Sequence, residues 1–412
     1  MKKYKSLRGI RDITGREAAL FGSIVSVGAR LMESYGYERI FLPVIEDTEL
    51  FARSIGEDTD IVSKEMYSFQ DKKGRDISLR PEGTAGAVRA LIKSGQLNGK
   101  VRRKIYYFGP MFRYERPQKG RYRQFYQLGC ELYSSPSPYQ DGEVIELADK
   151  LLKRCRVKDY SLVINSLGCG QDREKYKESI KKTVEEQKGE LCSDCRRRLK
   201  TNTLRILDCK KKRCRRIYSD LPSMNEFLCR DCSKYMEKVK NILELADVKY
   251  STDSSLVRGL DYYSGPVFEF KLNGSALIAG GRYNELVSRL GGPRMPACGW
   301  ALGMERLAAA SNLKPADFIK TALIKVEGAK IQTCRRLASK LRKAGVAVSE
   351  DYEEIDTGKK FKITDKNNIK KVLIIGGDEE KNGAVTLRDM KTGSQTAFPL
   401  DNIEELVRKI DA

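Results

Sequence analysis

The sequence predicts an α+β protein in which an antiparallel-sheet unit is interrupted by a helical, basic insert and followed by a smaller α/β unit. Three observations predict it. Strand-like runs at about 104–114 and 123–133 flank an arginine-rich loop, the pattern of a hairpin with a long connection. Residues 170–247 are helix-patterned and strongly basic. From about residue 320, strand and helix patterns alternate, which predicts an α/β unit with a mostly parallel sheet.

Taken in order, residues 16–36 place Leu20, Ile24, Val27 and Leu31 at helical spacing. The following "ERIFLPVIED" reads as a strand broken by Pro43, which suits an edge or interface position. "RPEGTAGAVRALIKSG" predicts a turn at Pro81–Gly83, a helix capped by Thr84 and a stop near Gly95. After the hairpin and the insert, strand patterns resume at "VFEFKLNG" and "ALIAGGRYNELV". "MPACGWALGMERLAAAS" runs from strand through Gly303 into helix, and "NLKPADFIK" reads as a linker. No internal repeat or low-complexity tract occurs.

With 412 residues, 40% hydrophobic and 33% charged, the chain has the composition of a soluble, multidomain protein. No apolar run approaches the ~20 residues of a bilayer span. "MKKYKSLRGIRD" lacks the apolar core of a secretory signal, so the expectation is a cytoplasmic protein with no membrane association. A formal net charge of +22 points to a polyanionic partner. Eleven cysteines in such a chain read as thiols or metal ligands rather than disulfides.

The loop "RYERPQKGRYRQFYQ" (113–127) carries four arginines and a lysine. Guanidinium is always charged and offers a fork of donors to phosphate oxygens, so this loop suits a triphosphate or nucleic-acid phosphates. Arg113 and Glu115, on either side of Tyr114, should point to one face. Neither GxxxxGK[ST] nor GxGxxG is present, which excludes the common helix-capping phosphate sites.

Three stretches together carry a resemblance: "FGPMFRYERPQKGRYRQFYQLGCE", "LVRGLDYYSGPVFEF" and "GWALGMERL". The first and last resemble motifs 2 and 3 of class II aminoacyl-tRNA synthetases, and "GYERIFLPVIED" resembles motif 1, the dimer-interface segment. The middle stretch, with "RPEGTAG" and "AGGRYNELV", is similar to the histidyl-tRNA synthetase family in particular. The likeness runs from "RGIRD" through the C-terminal unit. It implies a class II catalytic core over 1–169 and 248–312, the insert at 170–247, and an anticodon-binding domain at 320–412. The implied activity is ATP-dependent ligation of L-histidine to tRNA-His through a histidyl-adenylate, by a homodimer using Mg2+.

The resemblance also implies roles. Arg113 would hold the α-phosphate and Arg306 the γ-phosphate, with Glu115 and Arg121 also on ATP. Arg258 would stand across the α-phosphate, where other class II enzymes use a metal ion, and with Arg113 and Gln127 would carry catalysis. Glu82 and Thr84 would take the α-ammonium, and Gln127 would lie near the carboxylate. Glu131, Tyr262 and Tyr263 match the histidine-reading positions, where a carboxylate and a phenol satisfy both ring nitrogens of a neutral imidazole. A substrate phosphate oxygen would be the base of the second step. Arg116, Gln118 and Arg123 would face the tRNA acceptor end. Tyr114 and Tyr126 stand where family members commonly have histidine. Two rivals are a catalytically inactive paralogue acting as a binding subunit and a synthetase for threonine, proline or glycine. The full arginine loop and C-terminal unit argue against the first, "RGLDYY" and Glu131 against the second.

The insert holds Cys192 and Cys195, Cys209 and Cys214, and Cys229 and Cys232. Such pairs suit Zn2+, the alternative being reduced structural thiols, and the spacing leaves open which four would bind. Between Cys192 and Arg216 eleven Lys/Arg face two Asp, so this segment, with Arg196, Arg197 and Arg198, is expected to meet tRNA. The chain contains no histidine, so no protein imidazole takes part in its chemistry. A chain free of histidine codons can be translated when charged histidyl-tRNA is scarce, which offers one reason for the omission besides drift or design.

Overall fold

The computed structural model describes residues 4–411 except 58, 98–101, 119, 220, 316–320 and 354. Lys119 of the arginine loop and the second half of the linker reading therefore lie outside the described residues. The chain divides into two compact units, Met1–Lys314 and Pro315–Ala412.

The strands are β1 (Glu38–Arg39), β2 (Ile45–Asp47), β3 (Tyr67–Gln70), β4 (Asp76–Leu79), β5 (Arg103–Phe112), β6 (Gln124–Tyr133), β7 (Ser161–Ser166), β8 (Ser251–Thr252), β9 (Pro266–Leu272), β10 (Ser275–Tyr283) and β11 (Ala297–Gly303) in the first unit, and β12 (Thr321–Lys325), β13 (Val348–Asp351), β14 (Lys371–Ile375), β15 (Ala384–Asp389) and β16 (Gln395–Pro399) in the second. In the first unit eight of them form one sheet in the order β1-β5-β6-β11-β10-β9-β7-β8. Its interior ladders are antiparallel, and only the two short edge strands, β1 and β8, pair in parallel. β2, β4 and β3 make a separate small sheet.

Helices Gly15–Ser34 and Pro138–Arg154 cover one face of the large sheet. Their apolar stripes (Phe21, Ile24, Leu31; Val144, Leu147, Leu151) pack with Leu128, Cys130, Trp300 and Leu302. Alternation along β6 sends Leu128, Cys130 and Leu132 into that layer and leaves Gln127, Gly129 and Glu131 on the opposite face. The proline-broken strand divides at Pro43 into β1, joined to β5 at the edge of the large sheet, and β2, paired with β4 in the small one, and Phe41 between them is 78% exposed. Buried Arg80 fixes this segment by donating to the carbonyls of Leu42, Pro43 and Pro110.

The segment between β7 and β8 is helical: Gly170–Val184, Ser193–Thr201, Lys212–Tyr218 and Arg230–Leu245, with short 3-10 turns between. It has its own apolar cluster, including Tyr176, Ile180, Leu199, Ile206 and Ile217.

The second unit has the order β13-β12-β14-β15-β16. β12 pairs in parallel with β13 and β14, but the β14–β15 and β15–β16 ladders are antiparallel, so the sheet is more mixed than the alternation predicts. The reason is length. Residues 376–383 joining β14 to β15 are fewer than the dozen or so a parallel crossover requires.

Candidate active site

On the face opposite the long helices, β6, β11 and β10 are unusually bare. The cross-strand row through Gly129 continues as Ala301 and Ala279, and the row through Glu131 continues as Gly299 and Gly281. Small residues at these positions leave a cavity of about 230 Å3 floored by Ala279, Gly299, Ala301 and Gly303. Long side chains from the surrounding loops and strands form its walls.

At one end lies Glu131, 1% exposed. The Thr84 hydroxyl donates to its Oε1 at 2.7 Å and the Tyr107 hydroxyl at 3.2 Å, while the Tyr283 hydroxyl donates to Oε2. Burial pushes its carboxyl up to about 8 despite these donors, with neighbouring Glu82 adding to the shift. Gly299 opposes Glu131 in the ladder, and a Cβ there would collide with the carboxylate. Gly83 does the same service for the ring of Tyr107. Tyr262 and Tyr263, both largely buried, stand beside Tyr283 with ring centroids 5.4 and 6.4 Å from it.

Glu82 also lines this end. Its carboxylate accepts the backbone N–H groups of Thr84 and Ala85 at 2.6 and 2.9 Å, and burial raises its pKa. The helix Thr84–Lys93 is thus capped by Glu82 from outside, with Gly83 at the N-cap position, rather than by Thr84 as the sequence suggested. Thr84 is freed to hold Glu131. Gln127 enters the cavity between the two ends, and its Oε1 is buried without a partner among the described residues.

At the other end four arginines converge. Arg113 donates to the Pro81 carbonyl at 3.0 Å and lies 3.9 Å from Glu115. Arg121 pairs with the same carboxylate at 3.1 Å. Arg306, at the start of helix Met304–Ala310, donates to the carbonyls of Gly120 and Ala276. Burial, and then Arg121 beside it, hold its pKa below the usual arginine value. Arg258 enters from across the sheet, paired with Glu269 of β9 and 5.6 Å from the Tyr263 ring centroid. Four cations against two carboxylates leave this end positive, a wall suited to a polyphosphate.

Arg113 and Glu115 do share a face, although β5 ends at Phe112 and both lie on the loop beyond it. Tyr114 turns outward, 52% exposed, with the Arg123 guanidinium 3.8 Å from its ring centroid. Tyr126 packs inward, stacked on Phe108, and its backbone N–H donates to Glu305. Burial lifts the Glu305 carboxyl to about 6. Arg116 and Gln118 are exposed on the loop, outside the cavity. Sequence reasoning overlooked Tyr107, Tyr283, Glu269 and Glu305. All four reach the site through strand register or a loop closure, although Tyr283 lies within "AGGRYNELV", Glu269 within "LVRGLDYYSGPVFEF" and Glu305 within "GWALGMERL", so those motifs were the available signal for three of them.

The insert docks beside this site. Arg198 is half-buried against Asp60 at 2.8 Å, and Asn202 donates to Asp261, three residues past Arg258. Arg197 is 3.7 Å from Asp60, and Arg196 donates weakly to the Gly189 carbonyl, so these two remain the more available cations. Cys192, Cys195, Cys209 and Cys214 converge, their sulfurs within 4.8 Å of one another. Cys229 and Cys232 stand apart from them, grouped with Cys169 and Asp172. The six-cysteine set read from the sequence therefore divides between two places.

A profile described as histidyl-tRNA synthetase matches residues 9–307, and one described as an anticodon binding domain matches residues 320–410. The histidine--tRNA ligase of Aquifex aeolicus (strain VF5) is 44% identical over 403 residues, covering 97% of this chain and 99% of that protein. That of Bacillus subtilis (strain 168) is 41% identical over 417 residues, covering 98% of each. The crystal structure of apo S. aureus histidyl-tRNA synthetase superposes with a TM-score of 0.80 at 33% identity, over 98% of this chain and 100% of that one.

Proposed function

The chain belongs to the histidyl-tRNA synthetase family and ligates histidine to tRNA through an adenylate, using ATP and Mg2+, and we propose that both steps take place in the cavity floored by β6, β10 and β11. The observation that carries this reading is the polarity of the cavity: a buried, hydroxyl-ringed carboxylate at one end and converging arginines at the other.

Histidine lies with its ring between Glu131 and Tyr263, beside Tyr262. A buried carboxyl that keeps its proton to about pH 8 and a phenol complement an imidazole, which presents one donor and one acceptor. An apolar analogue would leave these groups unpaired, and such sites discriminate strongly. Glu82 and the Gln127 amide oxygen receive the α-ammonium, with Thr84 acting through Glu131. Turning the Gln127 amide about its last torsion presents its NH2 to the carboxylate instead.

The histidine carboxylate then attacks the α-phosphorus of ATP, the α–β bridging bond breaks, and pyrophosphate leaves with the electron pair. Arg113 and Arg258 face the α-phosphate from two sides. Arg121 and Arg306 hold the β,γ end, with Glu115 and Glu269 fixing the guanidinium directions. Charge that spreads over phosphate oxygens is thereby met by fixed cations rather than reoriented water. Magnesium enters with ATP. In the second step the tRNA terminal hydroxyl attacks the adenylate carbonyl, AMP departs, and a phosphate oxygen of the adenylate takes the hydroxyl proton.

The catalytic core is assigned to 1–169 and 248–312, the insert to 170–247 and the anticodon-binding domain to 320–412. Arg116, Gln118 and Arg123 are assigned to the acceptor end of tRNA-His, and Arg196 and Arg197 to its backbone, while Arg198 holds the insert to Asp60. Exposed Phe41 beside edge strand β1 supports a homodimer interface there. The enzyme is assigned to the cytoplasm. Among the described residues no helix is long and apolar enough to cross a membrane. In the insert, Cys192, Cys195, Cys209 and Cys214 fit Zn2+: four thiols, largely buried, converge, and the Cys192 N–H already donates to the Cys214 sulfur at 3.3 Å. Zinc bound there would be structural, since thiolates fill all four positions.

Pyrophosphate exchange run with each amino acid in turn tests the reading. Histidine alone should support exchange in the wild type, and Glu131→Gln should lose that selectivity while retaining ATP binding. Selectivity unchanged in the variant would remove Glu131 from the ring pocket.

A further inference from the structure

Eleven cysteines serve three different ends. Cys130, Cys155 and Cys298 lie in the core beneath the large sheet and Cys334 in that of the second unit, where a thiol acts as a small apolar side chain. Four more make the buried thiol cluster of the insert. Cys169, Cys229 and Cys232 belong to neither group: Cys229 is exposed, the other two are part-exposed, and none joins an apolar cluster. Apolar packing does not account for them.

Their arrangement does. Cys169 is the N-cap of helix Gly170–Val184 and Cys229 the N-cap of helix Arg230–Leu245. Each is followed three residues later, in the first helical turn, by a second ligand type: Asp172 after Cys169, Cys232 after Cys229. The three sulfurs and a carboxylate oxygen lie within 4.8 Å of one another. A tetrahedral zinc with Zn–S of about 2.3 Å holds its sulfurs about 3.8 Å apart, so only a small contraction is needed. Asp172 is buried, and its two oxygens accept the backbone N–H groups of Cys169 and Cys229 at 3.1 Å each, which joins the two helix starts before any ion binds.

We propose that Cys169, Asp172, Cys229 and Cys232 form a second zinc site, which clasps the two ends of the insert at its base. The site does not depend on metal in the Cys192 cluster. Its placement gives it consequence. Leu167 N–H donates to the Gly265 carbonyl at 2.7 Å and Gly265 N–H to the Gly168 carbonyl at 3.1 Å. The chain just before Cys169 is therefore bonded to the chain just after Tyr263. A clasp there fixes both the root of the insert and the end of the histidine-reading segment.

The test is metal analysis of reduced, tag-free, full-length protein loaded with Zn2+, then with Co2+ as a spectroscopic substitute. Two equivalents per chain are expected, with cobalt–thiolate charge-transfer intensity corresponding to seven thiolates. Cys229→Ser/Cys232→Ser should lose one equivalent and leave a four-thiolate spectrum, while Cys192→Ser/Cys195→Ser should keep the three-thiolate centre. Amide exchange should rise in the first turns of both helices only in the former variant. A wild-type chain whose sole metal disappears with Cys192→Ser/Cys195→Ser, or which binds none, overturns the proposal, as does a spectrum that Cys229→Ser/Cys232→Ser leaves unchanged. The cobalt thiolate count on the wild-type chain decides the matter even if a variant fails to fold.

Discussion

Gly299 lies directly across the β6–β11 ladder from Glu131, and it is the only residue type that leaves the Glu131 carboxylate room in its present position. Gly299→Ala should push Glu131 off its three hydroxyl donors. Overpacking of this kind costs about 1–3 kcal/mol, and here it falls on the ligand-reading group. Histidine affinity is expected to drop by about 5- to 150-fold, with ATP affinity nearly unchanged, in equilibrium binding of each substrate. Equal weakening of both would mean that the glycine serves the sheet rather than the pocket.

Histidine binding should depend on pH in both directions. Burial keeps the Glu131 carboxyl protonated up to about 8 in the free protein, and the free histidine ring titrates near ~6.5. The bound pair holds one proton between carboxyl and ring. Below about 6.5 the free partners carry one proton too many, and above about 8 one too few. Affinity should peak between those values and fall by up to about tenfold per unit outside them. Glu131→Gln should abolish the alkaline fall and keep the acid one. The same raised pKa makes Glu131 a source of fold stability at low pH that is lost as pH climbs from the ordinary carboxyl range through about 8. Calorimetric titration across pH 5.5–9 checks the binding limbs, and an alkaline fall persisting in Glu131→Gln would assign it elsewhere.

Much of this site was legible in the sequence because its parts are contiguous. The arginine loop, Glu131 shortly beyond its end, and "RGLDYY" each announce their chemistry locally, and β5 and β6 follow from alternation. What could not be read were the partners that only register brings in. Tyr107 reaches Glu131 from the neighbouring strand β5 and Tyr283 from β10, two strands away, and Glu269 meets Arg258 from β9. The cysteine partition was hidden for the same reason: Cys169 and Asp172 are some sixty residues from Cys229 and meet it only when the insert closes on itself. The capping role of Glu82 was missed because Thr84 is the commoner cap type, and a buried carboxylate two residues earlier outcompeted it.

Tyr283→Phe and Tyr107→Phe should each remove one donor from Glu131 without opening the fold. Losing a hydrogen bond to a neutral carboxyl costs about 0.5–1.5 kcal/mol, and the Glu131 pKa should rise further in both. The alkaline limb of histidine binding should move to higher pH. An unmoved limb would show that burial alone sets the pKa.

The insert offers two kinds of arginine. Arg196→Ala/Arg197→Ala should flatten the salt dependence of aminoacylation, by up to about 0.9 in the logarithmic slope for each duplex phosphate that is no longer neutralised, and leave adenylation untouched. Arg198→Ala breaks the pair with Asp60 and should instead raise amide exchange where the insert docks. If the double variant keeps the wild-type slope, those two side chains belong to a solvated face.

The central claim is that fixed arginines, not protein imidazole, stabilise the charge that develops on the α-phosphate, and Arg258 tests it most directly. Paired to Glu269 and held against Tyr263, it is positioned before substrate arrives. Removing one such preorganised donor costs about 2.7–4 kcal/mol. Single-turnover formation of histidyl-adenylate by Arg258→Ala, at saturating ATP and histidine, should therefore be slower by about 100- to 1,000-fold, with both dissociation constants within a few-fold of wild type. A rate within a few-fold of wild type would contradict the claim.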